Sequence, residues 1–143
     1  MTLEERFSSA LHSTARTWRL AIDRRLKDLG LSQASWMTIA MAAKASAPLS
    51  QIELAQRLGV EGSTMVSMID RLVKAGLLVR QASETDRRVK FVVLTDQGNA
   101  LYGRVKAEAD AFRLELMANV DADKLLIATE LLEQLERVAS SHT

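Results

Sequence analysis

The sequence predicts a mainly α-helical fold carrying one small β-hairpin. Three observations lead there. Apolar residues recur at three- and four-residue spacing along most of the chain, as amphipathic helices require. Only one proline and six glycines interrupt the 143 residues, so long helices are uninterrupted. A single stretch, Leu77 to Thr95 (LLVRQASETDRRVKFVVLT), places β-branched and aromatic residues on either side of a polar turn, as a hairpin does.

The elements follow in order. Leu3, Phe7, Ala10, Leu11, Ala15, Trp18, Ile22 and Leu26 mark one apolar helix face from about Thr2 to Leu29, and Gly30 ends it. Ser32 suits an N-cap for a second helix, about Gln33 to Lys44, holding Trp36, Met37, Ile39 and Ala40. The one proline, Pro48, lies in the linker that follows. Ser50 and Glu53 form an S-x-x-E capping box, which starts a third helix at about Gln51 to Leu58. Gly59 breaks that helix, because the tight turn Gly59 to Gly62 favours a residue tolerating positive φ. A fourth helix, STMVSMIDRLVKAG, runs from Ser63 to about Ala75 and stops at Gly76. Two short strands, about Leu77 to Gln81 and Lys90 to Leu94, flank the turn ASETDRR. Thr95 caps a fifth helix, about Asp96 to Met117, and Asp121 a sixth, about Ala122 to Ser140. In the sixth, Leu125, Ala128, Leu132, Leu135 and Ala139 form a heptad-like seam.

Helix, turn, helix and then a charged hairpin is the order of a winged helix-turn-helix that grips duplex DNA. On the fourth helix, Val66, Ile69, Leu72 and Val73 are expected to pack on Leu54, Ala55, Leu58 and Val60. The opposite stripe is Ser63, Thr64, Ser67, Arg71 and Lys74. It is small and hydroxylated at its N-terminal end and basic further on, which suits a major groove. Small side chains let the helix end approach base edges, unpaired N–H groups there face phosphates, and the cations neutralise backbone. Most amphipathic helices have a polar outer face, so this stripe alone does not establish DNA binding. The hairpin tip adds the second half. Asp86 is placed to pair with one arginine and hold the loop, leaving Arg88 to extend into a narrow minor groove whose negative potential attracts guanidinium. Arg87 and Lys90 complete the basic character of the wing.

The net charge of +1 conceals an uneven distribution. Residues 1–30 carry a net +2, residues 31–95 a net +3 and residues 96–143 a net −4. Positive charge therefore sits away from the C-terminal helices. There is no cysteine, which excludes disulfides, thiolate metal sites and thiol-based redox sensing. The two histidines, His12 and His142, are far apart in sequence, so no His-based metal cluster is expected. Neither a nucleophile–base pair nor a phosphate loop points to an enzyme. The opening MTLEERFSSA lacks the basic-then-apolar pattern of a secretion signal, and no apolar run approaches the roughly 20 residues of a membrane span. A cytoplasmic protein is expected. The alternative to a DNA-binding regulator is a winged-helix protein-interaction module without sequence-specific DNA binding; the basic, small-residue helix face argues against it.

Three segments bear a specific resemblance: ARTWRLAIDRRLKDLGLSQASW, SQIELAQRLGVEGSTMVSMIDRLVKAGLLVR and DRRVKFVVLTDQG. Together they resemble the MarR family of winged-helix transcriptional regulators, and within it the SlyA-like branch, over nearly the whole chain. The Asp-Arg-Arg wing leading into a Leu-Thr helix start is the most specific part. The resemblance implies a homodimer in which residues 1–30 and 118–143 form intertwined dimerisation helices, residues 31–95 the winged helix-turn-helix, and residues 96–117 a connecting helix. It places the fourth helix in a major groove and Arg88 in the flanking minor groove, with Asp86 bracing the wing. One position departs: where SlyA-like proteins often carry arginine on the recognition helix, this chain has Ser67, which puts guanine reading there in doubt.

The resemblance also implies a cleft for small aromatic carboxylates between the dimerisation helices and the DNA-binding lobe. Matching positions are Arg16, Trp36, Met37, Met68 and Arg80. Arginine beside tryptophan suits such a ligand, one for the carboxylate and one for the ring. The same tryptophans and methionines also sit at spacings that an ordinary core would use. No cofactor is expected.

Overall fold

The computed structural model describes residues 1–142. Helix α1 spans Leu3–Leu26, opened by a reciprocal capping box in which Thr2 Oγ1 accepts the Glu5 N–H and Glu5 accepts the Thr2 N–H. Acidic residues fill its first turn and Arg24 and Arg25 its last, complementing the helix dipole. The helix does not run unbroken to Leu29 as the sequence suggests. A tighter 3₁₀ turn, Lys27–Leu29, closes it, and Gly30 leaves it at φ 73°. Such a turn satisfies carbonyls that an α-helix end leaves open.

Helix α2 spans Gln33–Lys44, capped by the Ser32 hydroxyl. Strand β1, Leu49–Ser50, leads directly into α3, Gln51–Leu58. The Ser50 hydroxyl accepts the Glu53 N–H at 3.1 Å while Glu53 accepts the Ser50 N–H at 3.1 Å. Ser50 is buried while Glu53 is exposed. Ser50→Ala is expected to cost about 1 kcal/mol, read as a lowered urea midpoint with unchanged slope. The Ser50 N–H, and after it the Ser50 hydroxyl, hold the Glu53 carboxyl below its ordinary pKa, helped by Arg57 one turn away.

Gly59, at φ 70°, ends α3 and turns the chain into α4, Gly62–Lys74. Strands β2, Leu78–Ala82, and β3, Lys90–Leu94, then form the hairpin. Strand β2 starts one residue later than its apolar run, because the Leu77 N–H is used to close α4 on the Leu72 carbonyl. The sheet order is β1-β3-β2, all antiparallel, with Leu49 opposite Val92 and Leu78 opposite Leu94. A two-residue strand after Pro48 is too short to show alternation, and only its pairing with β3 defines it. Helices α5, Asp96–Met117, and α6, Ala122–Ser140, complete the chain. Mainly helical with a small three-stranded sheet, this is a winged-helix architecture.

The winged-helix core gathers Leu26, Ile39, Leu54, Met65, Ile69, Leu72, Leu78 and Val92, all buried. It corrects the expected packing of α4. Val66 is 40% exposed and Val60 36%, whereas Met65 and Met68 are buried beside Ile69 and Leu72. The buried stripe is rotated by roughly 60° from the expected one, given ~100° per residue. Long, flexible methionines reach the core where the stiff Val66 points aside.

Two compact units separate by their internal contacts, Met1–Asp110 and Ala111 onward. In the second, α6 buries none of its residues, although Leu126, Ile127, Leu132, Leu135 and Val138 are large and apolar. Among the described residues no helix is long and apolar enough to cross a membrane, and no group of three His, Asp or Glu side chains is arranged to hold a metal.

Candidate nucleic-acid interface

Helix α4 offers its outer stripe to solvent. Ser63, Thr64, Ser67, Arg71 and Lys74 are all exposed. Its N-cap is Glu61, whose side chain makes no capping bond. The first-turn N–H groups at Gly62, Ser63 and Thr64 are thus left without a side-chain acceptor, in the position from which a helix end binds phosphate.

The helix is held in orientation by one arginine. Arg80, on β2, reaches Asp70 on α4 at 2.6 Å, the Val66 carbonyl at 3.3 Å and the Gln51 side-chain oxygen on α3 at 2.5 Å. Three elements meet at one guanidinium, whose planar fork suits several fixed acceptors at once. Asp70 is largely exposed, so the contact fixes geometry more than it adds stability. It also pairs an acidic side chain of α4 with a positive charge.

The hairpin turn is built by two side chains. The Ser83 hydroxyl accepts the N–H groups of Thr85 and Asp86, both at 3.2 Å. Asp86 in turn accepts the Arg88 N–H at 3.0 Å, and its two oxygens take Arg88 Nε at 3.2 Å and Nη2 at 3.3 Å. These bonds to Arg88 hold the Asp86 carboxyl below its ordinary value. The brace and the projecting arginine are therefore one pair: Asp86 grips Arg88 itself, while the Arg88 side chain stays 90% exposed. Arg87 and Lys90 are also exposed, and neither makes an ion pair among the described residues.

The five residues considered for a ligand cleft are distributed differently. Trp36 and Met37 line a cavity of about 330 Å³ together with Ala40, Met41, Lys44, Ala45 and Arg57. Met68 is buried in the core, where its sulfur accepts the Ser35 hydroxyl at 3.4 Å. Arg80 is committed to Asp70 and Gln51, and Arg16 is exposed on α1. One cavity of the protomer thus brings together Trp36 and Met37, and not the other three.

Residues 29–89, from the end of the 3₁₀ turn to the turn of the hairpin, match the sequence model of the MarR family. The transcriptional regulator PA3341 is 35% identical, with 94% of this chain and 98% of that one covered and a TM-score of 0.86. The chain belongs to the MarR family. Two more distant structures share the fold. Staphylococcus aureus MarR in complex with salicylate and kanamycin is 21% identical over 99% of this chain and 95% of that one, with a TM-score of 0.87. CouR from Rhodococcus jostii RHA1 bound to p-coumaroyl-CoA is 23% identical over 94% of each chain, with a TM-score of 0.78.

For this MarR-family chain, sequence reasoning overlooked three contributors to the interface geometry. Ser83 shapes the wing, and its signal is a serine followed at once by polar turn residues whose N–H groups it can accept. Gln51 was considered only as the first residue of a helix, yet it receives Arg80. Gly98 packs against the Leu77 carbonyl, a contact with no local signature in the sequence.

Proposed function

We propose that the chain acts as a homodimer binding an inverted-repeat operator in double-stranded DNA, and so regulates transcription from the cytoplasm. The observation that carries this reading is the pairing of an exposed hydroxyl-and-basic stripe on α4 with a wing that presents Arg88 on an Asp86 brace. Ser63, Thr64 and Ser67 face base edges, Arg71 and Lys74 neutralise backbone, and Arg87, Arg88 and Lys90 work at the flanking minor groove. Ser67 in place of arginine gives an operator distinct from that of SlyA-like proteins.

Dimerisation is supported by apolar surface left open on the terminal helices. Leu3 is 74% exposed and Ile127 67%, and no residue of α6 is buried. A two-fold partner that covers these faces uses residues 1–30 and 118–143 for assembly, 31–95 for DNA and 96–117 as the connection between them. The protein is expected to sediment at twice the chain mass at micromolar concentration and to retain a recurrent set of genomic fragments at physiological salt. A monomer, or retention of fragments without a shared motif, would reject the proposal.

The effector is a small aromatic carboxylate, held in a cleft to which Trp36 and Met37 contribute apolar surface and the exposed Arg16 a cation. Support comes from Trp36 and Met37 on an open cavity and from the fold shared with a MarR that binds salicylate. Such a ligand acts only through its unequal affinity for DNA-bound and free states, so ligand and operator weaken each other by the same factor.

A further inference from the structure

We infer that Glu61 is a specificity determinant of the operator, its carboxylate accepting the amino group of one cytosine in each half-site. The inference rests on the DNA reading above, which gives Glu61 no role. Glu61 holds the N-cap position of α4, yet its side chain makes no capping bond. Thr2, Ser32, Ser50 and Asp121 stand at the same position of their helices, and each spends its side chain on a backbone N–H. Glu61 is exposed, and among the described residues it takes part in no ion pair. The acids around it differ. Asp70 on the same helix is held by Arg80, and Glu53 on α3 is bonded to the Ser50 N–H. Gly62, which follows Glu61, has no atom within 4 Å of a built Cβ, so this end of the helix is uncrowded. The neighbours Ser63 and Thr64 are exposed beside it.

An unpaired carboxylate at the leading end of a DNA-binding helix weakens binding to phosphate, because like charges meet. It is tolerated where it meets a hydrogen-bond donor. An ionised carboxylate only accepts, and in the major groove only the amino groups of cytosine and adenine donate. Adenine sets its amino group beside the N7 acceptor, which repels a carboxylate and suits a side-chain amide instead. Cytosine offers its amino group without an adjoining acceptor, so it is the base that matches Glu61. This choice also fits Ser67, which has no guanidinium to reach guanine O6 and N7. A G·C pair that Ser67 cannot read from its guanine is read by Glu61 from its cytosine. The same carboxylate disfavours every other base at that position and every phosphate, so it gives discrimination at the expense of general affinity.

The test is competition binding of the full-length protein to a duplex carrying the motif shared by retained genomic fragments, with each half-site base pair replaced in turn. The wild type is expected to lose about tenfold in affinity when one particular cytosine of the half-site is replaced. Glu61→Gln is expected to move the preference at that position from cytosine towards adenine. It is also expected to bind unrelated duplex several-fold more tightly, with a salt slope steeper by up to about one. Its urea midpoint stays where it was, since no capping bond is lost. Glu61→Asp is expected to lose the cytosine preference while raising the urea midpoint, because the shorter acid turns back to cap the Ser63 or Thr64 N–H. A Glu61→Gln variant that keeps every base preference overturns the inference, whether its general affinity rises or not, and the DNA reading then stands without it. Retained fragments with no shared motif reject that reading and this inference together.

Discussion

Replacing Gly98 by alanine is expected to destabilise the protein by about 3 kcal/mol or more, lowering the thermal midpoint by roughly 10 °C. A Cβ at this position would lie 2.1 Å from the Leu77 carbonyl oxygen and 3.1 Å from the Leu94 side chain. The first obstacle is backbone, so no rotamer change relieves it. Around it the chain is locked: the Thr95 N–H donates to the Leu77 carbonyl at 3.1 Å, the Thr95 hydroxyl to the Gly76 carbonyl at 2.6 Å, and the Gly98 N–H to the Thr95 hydroxyl at 3.0 Å. Here the end of α4, the start of β2 and the first turn of α5 meet. Displacing α5 breaks these bonds and also shifts α4 against the hairpin. Gly103, in the same helix, has nothing within 4 Å of a built Cβ, and Gly103→Ala is expected to stabilise by up to about 1 kcal/mol through helix propensity alone. Thermal unfolding of the two variants side by side reads the opposite signs.

Arg88→Ala is expected to weaken binding to every duplex by about ten- to a hundredfold, and to reduce the salt slope by about one contact. The Arg88 side chain is 90% exposed on the wing, and Asp86 fixes its direction through three hydrogen bonds. Preference is lost only at A·T-rich flanks, where groove width is read. Ser63→Ala or Thr64→Ala acts differently, changing which half-site base is preferred. Competition binding over a salt series separates the two. The pH dependence has a definite sign. The Asp86 carboxyl is held below its unfolded value of about 3.9, so its brace is fully present above that value and is lost as pH falls through the lower, folded one. Between pH ~6 and 8 the wing is constant, and any change in DNA affinity there comes from other groups.

Most of the architecture is legible because local chemistry marks it. The capping box at Ser50 and Glu53, the glycines at 30, 59 and 76, and Asp121 place helix ends without tertiary information. What escapes depends on contacts distant in sequence. An apolar Val66 suggests one buried face of α4, yet the core takes Met65 and Met68, and the Met68 sulfur meets Ser35 of α2, 33 residues away in sequence. Strand β1 exists only through β3. Asp86 and an arginine were recognisable as partners two residues apart, but which of Arg87 and Arg88 it holds depends on the turn that Ser83 closes. Arg80 looked available for a ligand because nothing local reveals Asp70 and Gln51 converging on it.

Hydroxyl-radical footprinting of the purified protein on a retained genomic fragment tests the central claim most directly. Two recognition helices related by a two-fold axis should protect two inverted half-sites whose centres lie about one helical turn, roughly 10 bp, apart, with added minor-groove protection at the outer flanks from the wings. Protection of a single unrepeated half-site at full affinity would contradict it.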